Sequence, residues 1–363
     1  MAVKITGISR DLIIHPGETI ADVLEARGIT QAELATRTGM TPAYVSNVIA
    51  GKKDISMNFA MALEYALGVP KSFWLNLQAN YDAELLDFNQ EQTISEEERN
   101  AREALADVVK FLRKKGKMPT GEKKDASILS LRKALGISDI SKLGDIVPCG
   151  AFRMSLCQQV NPYVLGAWIR LCQIEGEGRT IDTQYDAAKV DLLIMEIKKI
   201  MLNPKANLQA DLRTVMKKYG IDFSVAVNFR GAPVQGYLSR KSDGTYQMVL
   251  TIRGSYADIF WFSLFHEIGH IVNGDIGKSA KFLDDGTDVE KEKRADLFAS
   301  NKLIDPTAYQ LFTAGKNFTI ESIERFAASQ NVMPYVVIGR LQKEKYLPYN
   351  QYSHYKLRYK WAD

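Results

Sequence analysis

Two of the four histidines in this chain, His266 and His270, stand four residues apart with Glu267 between them, in the stretch FHEIGH. On a helix that spacing projects both imidazoles from one face, where they can share a divalent cation, and it sets the carboxylate beside them. A catalytic zinc takes three protein ligands and leaves its fourth position to water. The remaining histidines, His15 and His354, are remote in sequence, so the third ligand should be a carboxylate, and the stretch DVEKEKRADLFASNKLIDP offers two glutamates. Helical phase separates them. Glu292 lies on a stripe with Ala295, Asp296, Ala299 and Leu303 that is small or apolar apart from its two acids, whereas Glu290 shares its face with Lys293, Arg294, Leu297 and Asn301. Glu292 is therefore the expected ligand, and Asp296, one turn on, the expected acceptor for the second ring N–H of a ligating histidine. The ligand types point to Zn²⁺, with Mn²⁺ also compatible. The natural chemistry is amide hydrolysis: the cation activates water and polarises the carbonyl, and Glu267 carries the proton to the leaving amine. Tyr335, Arg340 and His354 are candidate donors to the oxyanion. A peptide could dock as an added strand along the edge of TYQMVLTI.

The elements that must hold these groups are legible nearby. Around the motif, Trp261, Phe262, Leu264, Phe265, Ile268, Ile271 and Val272 make the helix apolar nearly all round, which places it at the centre of a core. Gly269 costs such a helix about 1 kcal/mol relative to Ala, and its expected use is to let another backbone approach. The clear strand signals are IDFSVAVNF, then APVQGYLS and TYQMVLTI around the turn residues SDG, and TQYDAAKVDLLIMEIKKIM reads as an amphipathic helix. The fold class is α+β and mainly helical, in three blocks. Residues 1–85 are an all-α domain, 86–150 a charged helical connector with a capping box from Ser95 to Glu98 before a helix ending near Gly116, and 151–363 a domain with a small β-sheet that carries the histidine pair. The basic run KFLRKKGKMPTGEKK reads as a solvated helix end and linker.

In the first block, QAELATRTGMTPAYVSNVIAG has the geometry of a helix-turn-helix. Ala35 sits where two helices touch, Gly39 at the turn, and Val45 and Val48 at the inward spacing of the second helix. This leaves Thr41, Pro42, Tyr44, Ser46 and Asn47 near the start of that helix, where base edges are read, with Asn47 suited to adenine and Gln31 and Lys52 to phosphates. The block is slightly acidic overall, so affinity for double-stranded operator DNA would rest on local charge and on a homodimer, with marked salt dependence.

Composition narrows the class. The 363 residues are 46% hydrophobic and 25% charged with a net charge of +4, an ordinary balance for a soluble globular chain. Cys149, Cys157 and Cys172 are an odd set without a CxxC pair, which argues against a disulfide framework and a thiolate zinc site and fits a reducing cytoplasm. The first residues lack a signal-peptide core and no apolar run reaches spanning length, so neither export nor a membrane is expected.

The stretch from HPGETIADVLEARG through SFWLNLQANYD resembles the HigA-type antitoxins, Xre-like helix-turn-helix proteins, over nearly all of the first block. From about residue 220 onward, DIFWFSLFHEIGHIVNGD, EKEKRADLFASNKLIDP and VVIGRLQ resemble the ImmA/IrrE metallopeptidases. The second resemblance implies a zincin-like fold with His266, His270 and Glu292 as ligands and Glu267 as catalytic acid/base, acting on transcriptional repressors. Together the two imply a DNA-binding regulator that carries a zinc endopeptidase and cleaves a repressor or partner protein. The alternative is a HigA-like antitoxin or autorepressor whose peptidase-like domain binds a cognate toxin or senses a signal without proteolysis.

Overall fold

The computed structural model describes residues 13–146, 160–276, 281–282 and 289–361. Cys149 and Cys157 lie outside them; Cys172 is buried and free. The chain divides into two compact units, Met1–Glu96 with Lys123–Leu129 and Glu97–Glu122 with Ser130–Asp363. Among the described residues, no helix is long and apolar enough to cross a membrane.

The first unit opens with five helices, α1 (Pro16–Arg27), α2 (Gln31–Thr38), α3 (Pro42–Ile49), α4 (Met57–Leu67) and α5 (Lys71–Asn89). Their ends are written locally. His15 accepts the Gly17 N–H on Nδ1 at the start of α1, Thr30 caps α2, and Thr41 and Ser56 cap α3 and α4, each side-chain acceptor meeting a first-turn N–H. Pro16 and Pro42 occupy first-turn positions, where the missing N–H costs nothing. Gly28, Gly39 and Gly68 close α1, α2 and α4 in the left-handed region. The core is Ile20, Leu34, Val45, Val48, Phe59, Leu63 and Trp74, all fully buried. In the HPGE stretch, Gly17 is fixed by packing, since a Cβ there would stand 2.1 Å from the Val48 carbonyl oxygen of α3.

The chain continues through α6 (Glu96–Ala104), α7 (Ala106–Lys114), α8 (Lys124–Leu135), α9 (Pro162–Gly176), α10 (Val190–Leu202) and α11 (Leu208–Lys218). The single connector helix expected before Gly116 is broken at Leu105 into α6 and α7. In the second unit Glu98, only 2% exposed, takes Arg132 Nε at 2.9 Å and the Ile140 N–H at 3.2 Å.

The sheet follows: β1 (Ile221–Ala226), β2 (Gly236–Arg240), β3 (Tyr246–Thr251) and β4 (Lys281–Phe282), in the order β1-β3-β2-β4. The expected hairpin joins β2 to β3 antiparallel, Gly236 opposite Leu250, with Gly244 at φ 87° in its turn. β1 pairs parallel with β3, Ile221 opposite Tyr246, and β4 adds antiparallel to β2. β3 is therefore an inner strand with both ladders filled. This corrects the expectation that a peptide docks along TYQMVLTI, which has no free edge. After β3 come α12 (Ala257–Val272), α13 (Val289–Leu303), α14 (Pro306–Ala314), α15 (Ile320–Ser329) and α16 (Pro334–Lys343). α12 runs through the core against β2, β3, α13 and α16, burying Trp261, Leu264, Phe265 and Ile268. The architecture is α+β and mainly helical.

Candidate functional site

α12 presents His266 and His270 on one buried face, 1% and 2% exposed. α13 crosses that face closely because Gly269 has no side chain: a Cβ there would lie 3.1 Å from Cα of Ala295. This is the backbone approach that the sequence led us to expect, and it brings Glu292 and Asp296 of the same helix onto the imidazoles. The Nε2 atoms of the two histidines are 3.0 Å apart, and the Glu292 carboxylate lies 3.2 Å from each. Ligands held 2.0–2.1 Å from a tetrahedral zinc stand roughly 3.3 Å from one another, so the triangle has the size such an ion requires.

The outer nitrogens set the tautomers. His266 Nδ1 is 2.8 Å from Asp296, and His270 Nδ1 is 3.0 Å from Asp275. An Nδ1–H donated outward on each ring turns both Nε2 lone pairs inward, toward a third acceptor, the Glu292 carboxylate. Three acceptors meeting in a buried space repel one another unless a metal ion or a proton lies between them. The titration of His270 reports the same field. Burial works against its charge, yet Glu292, Glu267 and Asp275 outweigh burial and raise its pKa to about 9. The donor chemistry thus fits a divalent metal held by His266, His270 and Glu292.

Glu267 is buried at 8% exposure, and its carboxylate rests on β2 against Gly236, where a Cβ would stand 2.3 Å from Oε1. A cleft of about 590 Å³ runs along α12, lined by Ile259, Phe262 and Ser263 of that helix, Leu303 of α13, and Val336 and Arg340 of α16. It is linked to the cluster at two points. Gln235, next to Gly236, lines it, and so does Lys343, whose ammonium lies 4.5 Å over the Phe262 ring and 3.8 Å from Asp296.

Each of the three candidate oxyanion donors has contacts of its own, and Arg340 also lines the cleft. Tyr335 is buried and its hydroxyl accepts the Trp261 indole N–H at 3.1 Å. Arg340 stacks on Tyr309 at 3.8 Å and holds Glu344 and the Ser300 carbonyl. His354 is exposed and packs on Tyr355. Asp275, by contrast, was not singled out from the sequence. Its side chain is 1% exposed and bridges His270 to Arg294, at 2.9 Å. The available signal is its place just past the C-terminus of α12, where a carboxylate is disfavoured by the helix dipole and must answer to another partner.

In the first unit, Ala35 is buried between α2 and α3, and Val45 and Val48 point into the core. Gln31, Pro42, Ser46 and Lys52 are exposed; Tyr44 and Asn47 are half-buried. Thr41 is exposed but spends its hydroxyl oxygen on the Tyr44 N–H, so its place is that of a helix cap. Tyr44 is held by Ser56 at 3.2 Å and lies under the ammonium of Lys53, a cation beside the pair that sequence spacing did not bring out.

Comparison with known proteins adds to this geometry. Residues 20–74 match the helix-turn-helix family HTH_3. Over 69 residues, 19% of this chain, the sequence is 41% identical to the virulence-associated protein A' of Dichelobacter nodosus, and the matched part spans 60% of that protein's length. An addiction module antidote protein of a HigA family from Coxiella burnetii is similar in structure, at 29% identity over 23% of this chain and 95% of the other, with a TM-score of 0.21. The antitoxin GraA is similar at 31% identity, covering 20% of this chain and 81% of its own, with a TM-score of 0.20. Residues 20–74 are a helix-turn-helix domain of the Xre-like kind.

Proposed function

We propose that the protein is a DNA-bound transcriptional regulator carrying a zinc-dependent endopeptidase of the ImmA/IrrE type, which cleaves a repressor or other partner protein. The observation that carries this reading is the convergence of His266, His270 and Glu292 within 3.2 Å of one another, with the Glu267 carboxylate on the same buried helix. A module that only binds a partner has no use for a buried acid beside such a cluster.

The residues divide the work. When bound there, a divalent cation supplies Lewis acidity, making water nucleophilic at neutral pH and polarising the scissile carbonyl. Glu267 takes the proton of the attacking water on its carboxylate and returns it to the leaving amine. Asp296 and Asp275 hold the imidazoles in the tautomer that faces inward. The cleft along α12 receives an apolar side chain of the substrate against Ile259, Phe262 and Val336. β2, which among the described residues pairs with β4 at Leu238 and Ser239, is the strand beside Glu267 onto which a peptide backbone can add. In the other unit, the exposed start of α3 reads an operator, with Gln31 and Lys52 at phosphates and Ser46 and Asn47 at base edges.

The test is a zinc-loaded digestion of a proteome-derived peptide library by wild type and Glu267→Gln, read by mass spectrometry, with metal content measured in parallel. We expect Glu267→Gln to keep its metal and to lose about 10²–10⁴-fold in cleavage rate. Equal cleavage by both proteins would defeat the peptidase reading. No cleavage by either, with operator binding intact, would favour the antitoxin alternative, in which this domain binds a toxin.

A further inference from the structure

A second cavity, of about 300 Å³, lies in the second unit between α11, the start of β1 and the loop after α9. Its lining includes Arg179, Arg213 and Lys217, the buried Asp222, and the apolar walls Ile181 and Ile221. None of these belongs to the histidine cluster or to the cleft beside it.

The acceptors here are already taken. Asp222 receives Arg179 Nε at 3.1 Å and Lys241 Nζ at 3.4 Å, while Glu175 receives Arg179 Nη1 and Arg213 Nη2, each at 3.4 Å. The donors are not. Arg179 Nη2 is buried without a hydrogen-bond partner among the described residues, which adds positive charge to the cavity wall. Arg213 is anchored through Nε on the Phe223 carbonyl at 3.1 Å, which fixes its guanidinium plane and leaves Nη1 unspent among the described residues. Lys217, one turn further along α11, is exposed and has no partner among the described residues. The Arg213 guanidinium, with one nitrogen unspent, and the Lys217 ammonium thus border a space, beside the paired cation of Arg179, whose carboxylates are already neutralised, which is the chemistry that receives an oxyanion.

We infer that this cavity binds a phosphate-bearing small molecule. Three cationic side chains line the cavity against one carboxylate that is already paired, a balance that suits the double charge of a phosphate monoester better than the single charge of a carboxylate. The isoleucine walls and a volume larger than a bare phosphate make room for an organic remainder.

Titration calorimetry of the full-length protein at low ionic strength tests this, with inorganic phosphate, glycerol 3-phosphate and AMP as probes. Saturable 1:1 binding of at least one probe is expected, weakened at least about tenfold in Lys217→Glu and in Arg213→Glu, the loss of one charge-assisted hydrogen bond. Among the described residues Lys217 has no partner to lose, so that variant should melt at the wild-type temperature. Esters that bind more tightly than inorganic phosphate identify an organic phosphate as ligand; equal affinities identify free phosphate, and the site stands. If no probe binds, or if Lys217→Glu binds every probe as wild type does, the inference is overturned.

Discussion

Each imidazole of the proposed metal site is engaged at both of its nitrogens, and each carboxylate around the pair occupies its own position. Asp296 and Asp275 take the outward Nδ1 positions, Glu292 closes the inward triangle, and Glu267 stands aside with its Oε1 where a side chain at Gly236 would fall. That last contact has a direct consequence. In Gly236→Ala a methyl group would fall 2.3 Å from Glu267 Oε1, so the acid must move while the ligands stay. We expect kcat to drop at least about tenfold with metal content unchanged, since ångström-scale misplacement of a catalytic group costs of that order; unaltered kcat would show that Glu267 needs no such seat. A second consequence concerns protons. Without metal, His270 is raised to about 9, so through the neutral range it carries a proton where the cation would sit. Cation uptake must displace that proton, and apparent affinity therefore falls as pH falls below about 9, by up to about tenfold per unit. Calorimetry at pH 8 in buffers of different ionisation enthalpy should count close to one proton released per zinc; release near zero would contradict the raised pKa. At this scale Glu292 was legible, because helical phase set it with Ala295, Asp296 and Ala299 on the stripe that meets α12. Asp275 was not, because it lies beyond the helix end, where periodicity carries no information.

Glycines decide how the elements approach one another. Gly269 admits α13 to the histidine face of α12, and Gly17 admits α1 to the end of α3. At Gly17 the obstacle to a side chain is the Val48 carbonyl, a backbone atom that cannot rotate away, so Gly17→Ala should destabilise the helix-turn-helix unit by about 1–3 kcal/mol, the usual cost of overpacking. Chemical denaturation checks this, and wild-type stability would mean the two helices can separate at no cost. The apolar surround of α12 and the β2–β3 hairpin were readable as local signals, whereas Thr41, read as a DNA contact, caps α3. Strand order was not: alternation and turn residues locate β3 but do not reveal that β1, more than twenty residues upstream, pairs with it in parallel and removes its edge. The break at Leu105 escaped for a similar reason, since α6 and α7 carry a continuous helical pattern and no proline or glycine marks the junction.

At the scale of the whole molecule, the two units have separate cores, and the proposed function gives each a separate chemistry. Ile20, Phe59 and Trp74 centre the first, and the sheet with α12, α13 and α16 centres the second. A cation bound only by the folded second unit would raise that unit's stability by mass action and leave the helix-turn-helix unit as it is. The fold class and the helix-turn-helix followed from patterns that repeat within a few residues. The cluster of His266, His270 and Glu292 required two segments separated by a stretch of sequence with no regular signal, and only the residue types at each end connected them. The most direct measurement is elemental analysis of the purified full-length protein alongside Glu292→Ala and Glu267→Gln. One equivalent of divalent metal in wild type and in Glu267→Gln, with most of it lost from Glu292→Ala, is the expected result. A metal-free wild type after loading with zinc, or an undiminished content in Glu292→Ala, would contradict it.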